Sequence, residues 1–164
     1  MIAPVNILEN ITVRPVSESD LDEIMLIEGA CFHSPWTRQN FLEEFKNSDL
    51  SIPLGIEYEK KIIAYAFIWI LLDECHLANI AVHPDYRRMG LAKLLIDKII
   101  TIARARGCAK IMLEVRKSNR EAIELYAQYG FLKVGVRKNY YNDGFLRSED
   151  AILMDLIITK EDKG

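Results

Sequence analysis

Residues 79 to 105 place an apolar strand, a basic bend and a long amphipathic helix directly one after another. The strand ends at Val82, where Pro84 and Asp85 stop strand pairing and turn the chain. Strand and helix are followed by another strand at residues 110–116, which predicts a right-handed crossover and a parallel strand pair. The helix is predicted from apolar residues that recur mostly every three or four positions: Leu91, Leu94, Leu95, Ile99 and Ile102.

The bend at residues 83–90 has the features of an anion-binding site. A helix start directs several unpaired N–H groups, and the positive end of the helix dipole, towards one point. Gly90 lets a ligand approach the backbone closely, and Arg87 and Arg88 add positive charge. A diphosphate fits these features. The alternative is a helix start that binds nothing, because many helices follow a turn that contains glycine and arginine.

The residue pattern of the bend is R-x-x-G-x-A over residues 87–92, and neither G-x-G-x-x-G nor G-x-x-x-x-G-K-[ST] occurs in the chain. It resembles the acetyl-CoA pyrophosphate loop of the GNAT acetyltransferases, [RQ]-x-x-G-x-[GA], in which alanine is allowed at the last position. The resemblance implies that the diphosphate of acetyl-CoA is bound by Arg87, Arg88, Met89, Gly90, Leu91, Ala92 and Lys93. It also implies that the backbone of the preceding strand holds the acetyl and pantetheine arm, at Ile80, Ala81 and Val82.

Glu114 lies within an otherwise apolar strand, where a carboxylate costs free energy unless it has a partner or faces a cleft. The plain alternative is a strand with two faces, Met112 and Glu114 on one side and Leu113 and Val115 on the other. Tyr126 lies on a helix predicted over residues 119–129, at helical spacing from Ala122 and Ile123, which is typical of a residue in the core.

The blocks around these residues extend the resemblance. Residues 113–119 (L-E-V-R-K-S-N), 122–131 (A-I-E-L-Y-A-Q-Y-G-F) and 137–141 (R-K-N-Y-Y) are similar to those of the bacterial ribosomal-protein-alanine N-acetyltransferases. The resemblance implies that Glu114 accepts a proton from the substrate amine and that Tyr126 donates one to the departing CoA thiolate. It further implies that Asn119 contacts CoA, although Asn119 is equally explained as a helix cap. Tyr140 and Tyr141 are then expected near the peptide entrance.

The acid–base chemistry favours an α-amine as the acceptor, because only a neutral amine attacks a thioester. An α-amine titrates near pKa ~8 and a lysine near ~10.4. Transfer of the ammonium proton to a single carboxylate therefore costs roughly 3 kcal/mol more for a lysine than for an α-amine. We expect acetyl-CoA-dependent N-α-acetylation of a protein N-terminus by direct attack in a ternary complex, and the resemblance implies that this terminus is the N-terminal alanine of a ribosomal protein. The alternatives are acetylation of a lysine side chain or small-molecule amine, and a non-catalytic module that binds acetyl-CoA.

The composition of the chain limits the classes of partner and the cellular compartment that are expected. The 164 residues carry a net charge of −3, which argues against a nucleic-acid partner. Three widely spaced cysteines predict neither a disulfide framework nor a metal site, and favour a reducing, cytoplasmic compartment. The apolar run 62–72 is too short to span a bilayer, so no membrane partner is expected.

These patterns together predict an α/β protein with the GNAT fold: a mixed six- to seven-stranded sheet, a parallel central pair and about four flanking helices. A single domain over residues 11–159 is expected, with terminal segments at 1–10 and 160–164. The first helix should bury Leu21, Ile24, Met25 and Ile27. Three local predictions concern the next elements: Ser34 caps the second helix, Ser118 and Glu121 form a capping box, and a polar loop at 138–150 separates two strands at 131–137 and 151–158.

Overall fold

The structure is a computed structural model and describes residues 6–142 and 148–158. Its strands are β1 (Ile11–Pro15), β2 (Ser51–Tyr58), β3 (Lys61–Leu71), β4 (Glu74–Val82), β5 (Lys110–Arg116), β6 (Leu132–Asn142) and β7 (Ser148–Ile157). Its α-helices are α1 (Leu21–Cys31), α2 (Arg38–Lys46), α3 (Leu91–Ala105) and α4 (Arg120–Gln128). Short 3-10 helices lie at Ile7–Glu9, Glu18–Asp20 and Pro84–Tyr86.

The strands form a seven-stranded mixed sheet in the order β1-β2-β3-β4-β5-β7-β6. β4 and β5 run parallel, in a register that covers Glu74–Leu77 opposite Lys110–Leu113. The pairs β1–β2, β5–β7 and β6–β7 are antiparallel. The predicted fold class is therefore confirmed, including the parallel pair that the crossover through α3 requires.

The chain divides into two compact units, which are described separately. The first contains the chain up to Ile68 together with Asn79–Ile99, and the second contains Trp69–Ala78 and the chain from Ile100 onwards. The single domain expected over residues 11–159 stays a prediction. The expected terminal segment 160–164 and the first half of segment 1–10 lie outside the described residues.

An aromatic cluster forms the centre of the first unit. Phe41 of α2 and Phe67 of β3 are fully buried, with ring centroids 5.3 Å apart. Trp36 packs against both rings, at 5.2 Å and 5.9 Å, and Tyr65 lies edge-on to Phe41 at 6.1 Å. Three of these four rings are fully buried, and they supply apolar area that packs α2 against β3.

Buried and partly exposed side chains alternate along β5, which lies in the second unit. Ile111, Leu113 and Val115 are buried, while the residues between them are partly exposed. Leu113 lies opposite Met154 of β7 and Ile111 lies opposite Cys75 of β4, and both partners are buried as well. The predicted two-faced strand is therefore present, and Glu114 lies on its less buried face.

All three local predictions, including that of the capping box, are wrong. The second helix is capped by Thr37, whose side chain accepts the N–H of Asn40, and it does not begin at Ser34. Much of the polar segment predicted as a loop at 138–150 is strand, because β6 continues to Asn142 and β7 begins at Ser148. Residues 143–147 lie outside the described residues. Of the helices that the structure describes, none has the length and apolar character needed to cross a membrane.

Gly55 of β2 provides a test of the packing in the first unit. A Cβ at Gly55 would lie 2.3 Å from Cγ1 of Val16, a buried side chain, whereas a Cβ at Gly29 of α1 would meet nothing within 4 Å. Gly55→Ala should therefore lower the free energy of unfolding by about 1–3 kcal/mol, and Gly29→Ala should raise it by up to ~1 kcal/mol. Urea unfolding of both variants measures this, and equal stabilities would contradict the packing described.

Candidate active site

The turn between β4 and α3 places the predicted anion-binding residues at the start of a helix. The N–H of His83 donates to the carbonyl of Ile63 at 2.8 Å, and the His83 Nδ1 accepts the N–H of Asp85 at 3.1 Å. Arg88 and Gly90 both have positive φ, 61° and 83°. These two left-handed residues turn the chain into α3 within a few positions.

The head of α3 has the groups that an anion needs. The N–H of Leu94 donates to the carbonyl of Gly90 at 3.1 Å, so the N–H groups of residues 91–93 precede the first helical hydrogen bond. Arg87 and Arg88 are exposed, and a Cβ at Gly90 would meet nothing within 4 Å. Space, N–H groups and positive charge are thus present together, and they fit a diphosphate.

The end of β4 lies beyond its register with β5, which covers Glu74–Leu77. Ala81 is buried, whereas Ile80 and Val82 are partly exposed. The thiol of Cys31, at the end of α1, donates to the Val82 carbonyl at 3.3 Å and accepts from Arg87 Nη2 at 3.3 Å. The first unit therefore brings the predicted strand residues and the predicted loop into one connected set of contacts.

In the second unit, Glu114 faces a cation. Its Oε1 lies 3.2 Å from Nη2 of Arg137 on β6, and the Glu114 side chain is 30% exposed. The charge of Glu114, followed by burial and a hydrogen bond to Glu114, raises the pKa of Tyr140. The predicted proton acceptor is thus reachable from solvent and already engages a positively charged group.

Tyr140 and Tyr141 lie on β6, not on the loop predicted for them. Their rings are 5.1 Å apart and edge-on, with the Arg116 guanidinium 4.2 Å from the Tyr141 ring and that of Arg137 5.1 Å from the Tyr140 ring. Burial, and then the charge of Glu114, raises the pKa of Tyr141 to about 12. Both tyrosines therefore stay protonated and stack with cations beside the carboxylate.

A bulge in β6 accounts for the position of these tyrosines. Arg137 lies opposite Ala151 and Tyr141 lies opposite Glu149, so β6 uses more residues than β7 over this stretch. Asn139 has a φ of 56°, and its N–H donates to the Asp150 carboxylate at 2.9 Å. Such bulges redirect side chains, and here the residue after the bulged position is Tyr140.

Tyr126 of α4 is buried, with 6% of its surface exposed and its ring 5.6 Å from that of Phe131. Burial, and then Tyr141, raises the pKa of Tyr126, so its hydroxyl keeps its proton at neutral pH. Tyr141 contributes to the raised pKa of Tyr126, and Glu114 contributes to the raised pKa of Tyr141, so both predicted catalytic residues lie near Tyr141 in the second unit.

Asn119 caps α4, since its side chain accepts the N–H of Ala122 at 3.2 Å. The predicted capping box of Ser118 and Glu121 is wrong, because α4 begins one residue later than that motif requires. The N–H of Ser118 instead donates to Oε1 of Glu149 at 2.6 Å. The CoA contact expected of Asn119 stays a prediction.

Sequence reasoning missed Glu28, a carboxylate with 2% of its surface exposed on α1. Its Oε1 accepts the N–H of Trp36 at 2.9 Å, and its Oε2 accepts from Asn79 Nδ2 at 2.9 Å and from the Tyr65 hydroxyl. Spacing could have found it, because positions 21, 24 and 28 lie on one helical face and Glu28, not Met25, completes the buried stripe.

Among the described residues, no group of three or more His, Cys, Asp or Glu side chains could hold a metal ion. Cys31, Cys75 and Cys108 are unpaired thiols in the described chain. The candidate residues of the first unit are therefore backbone N–H groups and arginines, and those of the second unit are one carboxylate and tyrosines.

Comparison with known proteins identifies the family. Residues 21–131 match the Acetyltransferase (GNAT) family. The chain is 38% identical over 150 residues to the ribosomal protein bS18-alanine N-acetyltransferase of Escherichia coli (strain K12), covering 90% of this chain and 98% of that protein. It is 35% identical over 148 residues to the protein of the same name in Salmonella typhimurium, covering 90% and 98%.

The crystal structure of the ribosomal-protein-S18-alanine N-acetyltransferase from Escherichia coli superposes with a TM-score of 0.84 at 35% identity, covering 93% of this chain and 97% of that one. The chain thus belongs to the GNAT acetyltransferase family. It is an acetyltransferase that uses acetyl-CoA as its acyl donor, as the resemblance implied.

The hydrogen bonds to Glu149 predict an acid-dependent loss of stability. Hydrogen bonds from Ser118, together with the charge of Arg116, hold the pKa of Glu149 below its usual value. This stabilisation is present above the unfolded-state value near ~4.3 and is lost as the pH falls through the lowered value.

Glu149→Gln should therefore cost about 1 kcal/mol of unfolding free energy at pH 7, and the difference should disappear as the pH falls through the lowered pKa of Glu149. Denaturant unfolding across that range measures it. A difference that does not depend on pH would assign the loss to packing and not to the carboxylate charge.

Proposed function

We propose that this enzyme acetylates the α-amine of a protein N-terminus, and that the acceptor is a ribosomal protein with an N-terminal alanine. The observation that carries the proposal is Glu114, a partly exposed carboxylate that forms an ion pair with the Arg137 side chain and lies close to Tyr140. The names of the relatives from Escherichia coli and Salmonella typhimurium support the choice of acceptor. Because ribosomal proteins are made in the cytoplasm, the proposal also places the enzyme there.

Glu114 is proposed as the proton acceptor. In the structure its carboxylate is paired with Arg137, whose side chain is 56% exposed. Because an exposed ion pair contributes little free energy, the guanidinium can move away into solvent at small cost. The ammonium of the acceptor would take the place of that guanidinium, since both are cations that donate hydrogen bonds to a carboxylate. Transfer of one proton to Glu114 then gives the neutral amine that attacks the thioester.

Tyr126 is proposed as the proton donor. Its raised pKa keeps the hydroxyl protonated at neutral pH, so it can donate a hydrogen bond to the sulfur as the carbon–sulfur bond breaks. A thiol titrates near pKa ~8.5, so the thiolate is protonated readily once it has left. Bound acetyl-CoA supplies the acetyl group as an activated thioester, and no acyl-enzyme on a cysteine is required.

Residues of the first unit are proposed to hold the donor. The N–H groups at the head of α3 and the side chains of Arg87 and Arg88 would bind the diphosphate, with Gly90 leaving room for its approach. The backbone at the end of β4 would hold the pantetheine arm. Tyr140 and Tyr141 are proposed to contact the acceptor peptide, where stacking and hydroxyl groups are both available.

Replacement of the carboxylate tests the proton acceptor. Glu114→Gln should lower kcat/KM for an alanine-initiated peptide by about 100-fold at neutral pH, because general-base catalysis is lost. The dissociation constant for acetyl-CoA should be unchanged in calorimetry. Glu124→Gln, an exposed glutamate of α4, is the control. Near-normal turnover of Glu114→Gln would remove Glu114 from this role, and mass spectrometry of the product shows whether the α-amine or a lysine carries the acetyl group.

Removal of one hydroxyl tests the proton donor. Tyr126→Phe keeps the ring that packs on Phe131 but cannot donate to sulfur, so kcat should fall about 100-fold with little change in acetyl-CoA affinity. The effect should shrink with an acetyl donor whose thiol is more acidic, because that leaving group needs no proton. Tyr129→Phe, one helical turn away, is the matched control. Equal rates for wild type and Tyr126→Phe would make Tyr126 a packing residue.

A further inference from the structure

Arg116, the last residue of β5, contacts both members of one cross-strand pair in the second unit. Tyr141 of β6 and Glu149 of β7 lie directly opposite each other. The guanidinium of Arg116 lies 4.2 Å from the centroid of the Tyr141 ring, and its Nη1 lies 3.4 Å from Oε2 of Glu149. One planar cation therefore covers an aromatic ring and pairs with a carboxylate at the same time.

The Glu149 carboxylate that orients this guanidinium is itself held by the backbone. Its Oε1 accepts the N–H of Ser118 at 2.6 Å. Next to this contact, the N–H of Lys117 donates to the Asp150 carbonyl at 3.1 Å, and the Asp150 carboxylate accepts the N–H of Asn139 at 2.9 Å. Hydrogen bonds thus join the end of β5, the start of β7 and the bulge of β6 around the position of the guanidinium.

Arg137, which lies 5.1 Å from the Tyr140 ring and pairs with Glu114, is held less firmly than Arg116. The Arg137 side chain is 56% exposed, whereas that of Arg116 is 19% exposed. A guanidinium that is mostly buried between a ring and a carboxylate has few other conformations open to it. Arg116 is therefore suited to holding a ring in one position.

The position of the Tyr141 ring matters because of its surroundings. The ring lies edge-on to that of Tyr140, with 5.1 Å between their centroids. Burial, and then the charge of Glu114, raises the pKa of Tyr141, so the ring lies close to the proposed proton acceptor. Because the register of β6 shifts between Arg137 and Tyr141, regular strand pairing alone does not set the direction of this ring.

We propose that Arg116 is a positioning residue for the acceptor peptide. Its guanidinium, oriented by Glu149, holds the Tyr141 ring as one side of the surface that the acceptor contacts beside Glu114. Arg116 does not bind the acceptor's ammonium group, because both are cations. The proposal rests on the proposed acetylation of a protein N-terminus, and it adds the residue that fixes a tyrosine proposed to contact that terminus.

Arg116→Lys tests the proposal, because it keeps the positive charge but removes the planar group. A lysine can still pair with Glu149, so the link between β5 and β7 is retained. The KM for an alanine-initiated peptide should rise about tenfold, as expected for a misplaced binding group, while kcat and the KM for acetyl-CoA stay within about twofold of wild type. The pH profile of kcat should keep its shape, since the charge near Glu114 is unchanged.

Lys110→Gln is the matched control, because it removes an ion pair between the same two strands at their other end. Nζ of Lys110 lies 3.7 Å from the carboxylate of Asp155 on β7. The peptide KM and the acetyl-CoA KM of this variant should both stay within about twofold of wild type. A tenfold rise in its peptide KM would show that any weakening of the β5–β7 pair has this effect, and would overturn the proposal.

A double-mutant cycle shows whether Arg116 acts through the tyrosine. In a Tyr141→Leu background, which lacks the aromatic face, Arg116→Lys should change the peptide KM by less than about twofold. Glu149→Gln releases the guanidinium without altering Arg116, so it should raise the peptide KM about threefold in the wild type and leave it unchanged in Tyr141→Leu. This second variant decides the question where Arg116→Lys folds poorly.

An unchanged peptide KM in Arg116→Lys, effects that add in the Tyr141→Leu background, or a larger change in the KM for acetyl-CoA than for peptide would each overturn the proposal. A shifted pH profile in Arg116→Lys would assign the residue an electrostatic effect on Glu114 and would overturn it too. A wild-type enzyme that acetylates no peptide N-terminus would instead reject the proposed function itself, so the two failures are distinguishable.

Discussion

The turn at Arg88 and Gly90 is the constraint on which the account of this protein depends. Both residues adopt positive φ, and only this sharp change of direction starts α3 directly after β4. The N–H groups of residues 91–93 consequently stand at the start of α3, directly after a bend that carries two exposed arginines. A glycine is required at position 90 both for its φ of 83° and for the room above its Cα.

The groups proposed for acid–base chemistry lie in the second unit. Its β5 alternates strictly, which leaves Glu114 on the face that carries Arg137, Tyr140 and Tyr141, and the bulge at Asn139 sets the direction of the two tyrosines. Burial keeps the nearby hydroxyl of Tyr126 protonated. One carboxylate that takes a proton and one hydroxyl that keeps its proton form the pair of groups that amine acetylation from a thioester needs.

Much of the fold could be predicted because it depends on local signals. The end of β4 at Val82, the bounds of β5 and the start of α3 follow from turn residues, alternation and helical periodicity, and the structure confirms them. The wrong predictions concern residues whose local structure depends on partners that are distant in the sequence. Strand pairing with β7 overrides the polar composition of 138–142, and Ser118 bonds to Glu149, thirty-one positions away. Helical spacing marks Glu28 as a buried position, but its hydrogen-bond partners lie on other elements and could not be predicted from that spacing.

The most direct measurement compares the affinity of acetyl-CoA with that of acetyl-pantetheine, which has the thioester but lacks the diphosphate. If the head of α3 binds the diphosphate, calorimetry should show about 100-fold weaker binding of the truncated donor, equivalent to losing a few charge-assisted hydrogen bonds. Gly90→Val should weaken acetyl-CoA while leaving acetyl-pantetheine unchanged. Equal affinities of the two donors for the wild-type enzyme would contradict the account.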